Sequence, residues 1–272
     1  MNRIIKFAKI EATGNDFICI KQDKDDPLRL NPSLVKRMCH RHLGIGADGL
    51  ILLDRDENDP PFMHYYNADG LESTMCGNGL RAAVLFTHVM LENCRPPAVL
   101  KAGDGPHRVF YHSADRIRVE ILTDGKRTEI ETEKLDLPAK YKILGKVDTG
   151  VPHVVIDVGE ELDRLDVSGI GKRLRNHLMF QPEGTNINFL RTLSNNSIEV
   201  RTYERGVEAE TLSCGTGITA SALLFKQISG NSATEMDVVT QGGRLKVRFE
   251  HDGIFLEGPA HFVFTGHYAV DE

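Results

Sequence analysis

The chain has no tryptophan, and aromatic residues make up only 7% of it. Positive charge is also in short supply: 33 Lys and Arg stand against 39 Asp and Glu, a net charge of −6. A chain poor in both cations and stacking rings is a poor general binder of nucleic acid. No apolar run approaches the roughly 18 residues of a membrane-spanning helix. The start, Met1-Asn2-Arg3-Ile4-Ile5-Lys6, interleaves charge with apolar residues and lacks the apolar stretch of a signal peptide. A cytoplasmic protein without membrane contact is expected. The five cysteines, at 19, 39, 76, 94 and 214, are odd in number and widely spread, so they form no disulfide framework. Neither Cys-x-x-Cys nor His-Glu-x-x-His occurs, and no metal site is expected.

What remains is ample for a core. The 272 residues are 40% hydrophobic and 26% charged, which suits one large domain or two of ordinary size. Short alternating stretches dominate, such as Ile4 to Ile10, Phe17 to Ile20, Ile117 to Ile121, Ile187 to Leu190 and Leu245 to Phe249. Turn residues separate them, as in strands. Pro32 to His42 reads as a helix capped by Asn31, with Pro at its first position. Gly79 to Leu91 and Gly217 to Ile228 are apolar on all sides and nearly free of charge. Such helices are buried all round. Two of them predict an α/β (α+β) protein of two lobes, each a sheet wrapped about its own helix.

Related sequence precedes both helices. The first half has Tyr66-Asn67-Ala68-Asp69-Gly70 and then Cys76-Gly77-Asn78-Gly79; the second has Tyr203-Glu204-Arg205-Gly206 and then Cys214-Gly215-Thr216-Gly217. Thr13-Gly14-Asn15-Asp16-Phe17 and Gly184-Thr185-Asn186-Ile187-Asn188-Phe189 look like a further matched pair. The pattern reads as one unit used twice. The expected lobes are 1–114 with about 260–272, carrying Cys76, and 115–259, carrying Cys214.

Cysteine is by default a small buried hydrophobe. Cys76 and Cys214 differ in standing just ahead of a helix, where unpaired N–H groups favour a thiolate and can hold a carboxylate. Cys19, Cys39 and Cys94 lack this setting and read as core or surface thiols. Two thiols beside duplicated anion cradles suit inversion of an α-carbon, where one group removes a proton and the other returns one to the opposite face. A nucleophile with a base would need only one cysteine, and a redox pair would leave the duplicated cradle unexplained. Carbanion stabilisation would then rest on aimed N–H groups and excluded water. Asn15, Asn67, Asn78 and Asn186 are either turn formers or readers of a zwitterion. Glu204 and Arg205 could take the ammonium and carboxylate of a second amino-acid end. His153 either tunes a cysteine or is a hydrogen-bonded structural histidine. His40-Arg41-His42 reads as solvated side chains rather than metal ligands.

These residues resemble the diaminopimelate epimerase family. The resemblance runs through Ala12-Thr13-Gly14-Asn15-Asp16-Phe17, Arg41 to Leu50, Tyr66 to Gly70, Met75 to Arg81, Pro152-His153, Thr185-Asn186, Tyr203 to Gly206 and Cys214 to Gly217. It implies cofactor-independent interconversion of LL- and meso-2,6-diaminopimelate, on the route to lysine and peptidoglycan precursors. It further implies two barrel-like lobes around central helices and a homodimer. In the family's terms Cys76 and Cys214 match the two bases, and Gly77, Asn78, Gly215 and Thr216 match the cradle of the reacting carboxylate. Asn15, Asn67, Asn186, Glu204 and Arg205 match substrate-binding positions, and His153 and Glu204 match positions that tune the thiols. Two positions depart from the pattern: Val151 stands where many members have Asn, and Gly49 where some have Gln. A proline or hydroxyproline racemase is the nearest rival, but those usually carry His where Asn78 stands. A non-catalytic amino-acid binder would not need a thiol at both helix starts.

Overall fold

The computed structural model describes residues 3–23, 25, 27–54, 59–90 and 98–270. The chain divides into two compact units, residues 1–120 with 258–272, and residues 121–257. The first contains β1 (Arg3–Ala12), β2 (Asn15–Lys21), α1 (Pro32–Cys39), β3 (Gly49–Asp54), β4 (Phe62–Asn67), β5 (Glu72–Ser73), α2 (Gly77–Met90), β6 (Val99–Ala102), β7 (Gly105–Ser113) and β8 (Arg116–Ile121). The second contains β9 (Lys142–Asp148), β10 (Pro152–Asp157), α3 (Val167–Arg175), β11 (Asn186–Ser194), β12 (Ser197–Glu204), β13 (Ala209–Thr211), α4 (Gly215–Ser229), β14 (Glu235–Thr240), β15 (Gly243–Glu250) and β16 (Gly253–Gly258). The last strand, β17 (His261–Val270), returns to the first unit and pairs antiparallel with β1. The division falls after Glu120 rather than at 114, because β8 is held to β7 as a hairpin.

The two units repeat the same pairing strand for strand. In the first, β1–β2 is antiparallel, β2–β3 parallel, β3–β4 and β4–β5 antiparallel, β4–β6 parallel, and β6–β7 and β7–β8 antiparallel. In the second, β9 to β16 follow the same sequence of pairings. The register matches too: Phe17 pairs with Gly49 and Leu50 with Tyr66, as His153 pairs with Asn186 and Ile187 with Tyr203. Gly49 therefore corresponds to Asn186, Phe17 to His153, and Asn15 to Val151. This corrects the expected match of Asn15 with Asn186: they open the second and third strands of their units, and only one of these positions in each unit keeps an amide. The Tyr66–Tyr203 and Cys76–Cys214 correspondences agree with the topology.

The central strands of each sheet, such as β3 and β10, are covered on both faces, with successive side chains alternating between them. In the first unit Ile18, Ile20, Leu50 and Leu52 pack with Val35 and Met38 of α1. In the second Val154, Ile156, Ile187, Phe189 and Tyr203 pack with Leu174 of α3. The intervening residues face the central helix. Gly79 stands over Ile51, and Gly217 over Asn188 and His153. The central helix α2 touches β1, β2, β3, β4, β7 and β17, so its sheet curves around it; α4 is enclosed likewise by β9 to β12, β14 and β15. Leu80, Ala82, Ala83, Val84, Leu85 and Phe86 of α2 are all buried, as are Ile218, Ala220, Ala222, Leu223 and Leu224 of α4. No helix among the described residues is long and apolar enough to cross a membrane.

Candidate active site

In the first unit the site is built on a hairpin and a helix start. Thr13 and Gly14 connect β1 to β2 with φ of 53° and 82°. Both lie in the left-handed region, as a two-residue hairpin turn demands. The turn places Asn15 first on β2. Its Nδ2 donates to Asp48 Oδ2 at 2.9 Å, and its Oδ1 faces Asn78 Nδ2 at 3.4 Å and Cys76 Sγ at 3.9 Å. Asp48 is fixed by Arg41, which also grips both oxygens of Asp16. Burial alone would raise the Asp16 carboxyl, but Arg41 and Lys9 outweigh it and hold it at about 2. Arg41 is thus an ion-pairing residue, while His40 Nδ1 accepts the backbone N–H groups of His42 and Leu43.

Cys76 immediately precedes α2. The Gly79 N–H donates to its sulfur at 3.3 Å, and the Leu80 N–H closes the first turn on its carbonyl at 2.8 Å. An unpaired helix N–H aimed at sulfur favours the thiolate. Behind it Asn78 is buried, its Oδ1 accepting from Arg81 Nη2 at 3.0 Å. Asn67 ends β4 half-buried, and its side-chain amide makes no hydrogen bond among the described residues. At the neighbouring Gly49, a Cβ would lie 2.6 Å from the Tyr65 ring. The tyrosine occupies the space a glutamine there would need.

In the second unit Cys214 is the buried N-cap of α4, and its Sγ lies 3.4 Å from Thr216 Oγ1. Thr216 Oγ1 is 2.9 Å from His153 Nε2, and His153 Nδ1 is 3.1 Å from Asn188 Nδ2. The roles follow from what each group can do. Asn188 Nδ2 also reaches the Val154 carbonyl at 3.0 Å, and Asn188 Oδ1 accepts from the Thr202 hydroxyl at 3.0 Å, so Nδ2 is the donor. His153 Nδ1 therefore accepts. Burial pushes His153 down to about 3, and the charge of Arg205 pushes the same way. The neutral ring carries its proton on Nε2 and donates to Thr216, whose own hydroxyl is left to donate to sulfur. Thr149 Oγ1 anchors the same turn through the Thr216 carbonyl at 3.1 Å, and Gly215 opens the helix behind the cap.

Asn186 spends its amide on the backbone: Oδ1 accepts the Arg205 N–H at 2.8 Å and Nδ2 donates to the Pro152 carbonyl at 3.1 Å. It thereby ties Arg205 to the strand that carries His153. The half-buried Arg205 donates from Nη1 to the Glu183 carbonyl at 2.7 Å, and Glu204 Oε2 accepts from Thr211 at 3.0 Å. Val151 leaves an apolar side chain at the head of β10.

The structure thus gathers Asn15, Asn78 and Cys76 in one unit, and His153, Thr216 and Cys214 in the other. Sequence reasoning missed Asp48, Arg81, Asn188 and Thr202 as parts of these networks. Asn188 and Arg81 carried a signal, being polar side chains at positions whose neighbours are all buried. Of the remaining cysteines, Cys19 and Cys39 are buried, and burial pushes the Cys39 thiol up to about 12. Cys94 lies outside the described residues. Among the described residues no cluster of three His, Cys, Asp or Glu could hold a metal ion.

A probable proline racemase from Agrobacterium radiobacter K84 shares the fold, with a TM-score of 0.70 and 14% identity over 98% of this chain and 93% of that one. So does a phenazine biosynthesis protein of the PhzF family from Bacillus anthracis, with a TM-score of 0.71 and 16% identity over 98% of this chain and all of that one. In sequence, the diaminopimelate epimerase of Flavobacterium psychrophilum is 38% identical over 265 residues, 96% of this chain and 98% of that protein. The family model for diaminopimelate epimerase matches residues 7–133 and 145–263, which takes in both cysteine-capped helices and every polar residue described above. The chain belongs to the diaminopimelate epimerase family.

Proposed function

We propose that this chain interconverts LL- and meso-2,6-diaminopimelate, with Cys76 and Cys214 as the two acid/base groups. The observation that carries this reading is the donor placed at each sulfur: the Gly79 N–H at 3.3 Å from Cys76 and the Thr216 hydroxyl at 3.4 Å from Cys214. A sulfur so placed can exist as thiolate or thiol at neutral pH, as a proton exchanger must. One thiolate removes the α-proton, the electron pair stays on carbon beside the carboxylate, and the opposite thiol returns a proton to the other face. Backbone N–H groups at Gly77, Asn78, Gly215 and Thr216 stabilise the charge that develops on the carboxylate. Asn15 and the uncommitted amide of Asn67 orient the substrate. Glu204 and Arg205 take its distal ammonium and carboxylate, with Asn186 holding Arg205 in place. His153 acts through Thr216 on Cys214.

The test is α-hydrogen exchange from LL-diaminopimelate in heavy water without added cofactor. The intact chain should incorporate deuterium while meso product forms. Cys76→Ser and Cys214→Ser should each lower epimerisation by a factor of a hundred or more, as loss of a general acid or base does. Near-normal turnover in either variant removes the two-base scheme. A proline racemase reading predicts exchange into proline instead.

A further inference from the structure

Two charged groups leave the amides of Asn78 and Asn15 a single orientation. At one end stands Arg81, fully buried and carrying only donors. Its Nη2 donates to Asn78 Oδ1 at 3.0 Å, so the nitrogen of that amide points away, to Asn15 Oδ1 at 3.4 Å. At the other end stands the Asp48 carboxylate, which carries only acceptors. Its Oδ2 accepts from Asn15 Nδ2 at 2.9 Å. Each end by itself decides which atom of Asn15 is nitrogen, and the two agree. The remaining contact agrees as well, since Cys76 Sγ donates to Asn15 Oδ1 at 3.9 Å.

Asp48 is held from several sides. Its Oδ1 accepts from Arg41 Nη2 at 2.7 Å, its Oδ2 accepts the Asp16 N–H at 3.2 Å, and its own N–H donates to Asp16 Oδ1 at 2.9 Å. Asp16 takes both arms of the Arg41 guanidinium, at 2.9 and 3.0 Å, and pairs with Lys9 at 2.8 Å. Lys9 is buried and also donates to the Gly46 carbonyl, in the loop that leads from Arg41 to Asp48. Two cations and two carboxylates offset one another, so the carboxylate that faces Asn15 is fixed without an unpaired charge.

The second unit has no counterpart of this arrangement. By the register of its strands and helices, Val151, Thr185, Thr216 and Thr219 stand where the first unit has Asn15, Asp48, Asn78 and Arg81. The Thr185 hydroxyl donates to the Pro152 carbonyl at 3.1 Å, and the Val151 side chain has no polar atom. An acceptor at this position belongs to the first unit alone.

An amide oxygen cannot hold a carboxylate, because both only accept. The reacting carboxylate has the N–H groups of the helix starts, and the polar group left on the α-carbon is the ammonium. We propose that Asp48 is a positioning residue: it locks the Asn15 amide with its oxygen toward Cys76, so that the first unit takes the ammonium of the reacting amino-acid end there. This rests on the two-base reading above, which places the α-carbon at the sulfur. In Asp48→Asn, Arg41 would take the oxygen of the new amide and leave its NH2 against Asn15. Asn15 would then turn over and aim a donor at the sulfur and at Asn78 Nδ2.

The test is titration calorimetry of the full chain with diaminopimelate and with pimelate, the same diacid without its ammonium groups. Asp48→Asn should weaken diaminopimelate about tenfold or more and pimelate less than about threefold. Asn15→Ala should weaken diaminopimelate to a similar degree, and adding Asp48→Asn to it should cost no more than about twofold further, because Asp48 acts through Asn15. Asn15→Asp combined with Asp48→Asn exchanges the two groups and keeps an oxygen toward the sulfur. It should bind diaminopimelate several-fold tighter than Asp48→Asn alone. A purely structural Asp48 would weaken both ligands alike and add its full cost to that of Asn15→Ala. Either result overturns the proposal, as does unchanged diaminopimelate affinity in folded Asp48→Asn. Equal affinity of the unaltered chain for the two ligands also overturns it and needs no variant. Calorimetry requires no turnover, so absence of deuterium exchange in an unaltered chain that binds diaminopimelate would sink the epimerase reading separately.

Discussion

His153 works as a neutral ring, and that has a consequence for acid stability. An unfolded histidine binds a proton near pH 6.5, whereas the folded one resists until about 3. Between these values the unfolded chain holds more protons, so stability falls as pH falls, by up to about 4 kcal/mol from this one group. Urea unfolding of the second unit at pH 7 and pH 4.5, followed by hydrogen exchange, should show the loss, and His153→Gln should shrink the difference between the two pH values. An unchanged difference would mean another group carries it. At Gly217 an added Cβ would meet Asn188 Oδ1 at 2.2 Å. Gly217→Ala should therefore displace the Asn188–His153–Thr216 relay and cost about 1–3 kcal/mol. It should also raise the pH at which Cys214 alkylates, and an unshifted Cys214 profile would show the relay to be idle. The two reacting cysteines were legible in sequence because a glycine-flanked thiol before an apolar run has few other uses. The relay was not, because hydrogen-bond partners come from strands far apart in the chain, and only folding puts Asn188 beside His153.

At the scale of elements, the strongest apolar helices were visible, but their first turns were not. Both begin two residues earlier than the apolar pattern, at Gly77 and Gly215. Glycine is a poor helix former and gives no periodic signal, yet at a first turn it leaves N–H groups bare for a ligand. Helix α3 was hidden for the same reason, since Gly169 and Gly171 interrupt its pattern. Asp166 caps it by accepting the Gly169 N–H at 2.9 Å, and Gly171 lets it close on Tyr203, whose Cβ would lie 2.4 Å from an added methyl group. Gly171→Ala gains helix propensity but forces the backbones apart. Thermal melting should show net destabilisation of about 1–3 kcal/mol, and a stabilised variant would refute the close approach.

For the whole molecule, duplication was legible through the cysteine segments, but its register was not. Asn15 and Asn186 look alike in sequence, since each follows a small turn and opens a strand. The pairing shows that they stand on successive strands of the repeated pattern. Strand order is set by long-range ladders, which local spacing does not encode. The longest of these joins the two ends of the described chain, with Arg3 opposite Val270 and Glu11 opposite His261. Removing residues 261–272 should strip exchange protection from β1 and α2, while α4 and β9 to β15 keep theirs. Hydrogen exchange read by mass spectrometry decides this, and equal loss in both units would show their stabilities to be coupled.

The return of β17 crosses the order of synthesis with the order of completion. On a ribosome the second unit has every strand it needs once residue 257 has emerged, whereas the first, though made earlier, still lacks its closing partner. The half bearing Cys214 can thus mature while the half bearing Cys76 waits for a strand made after it.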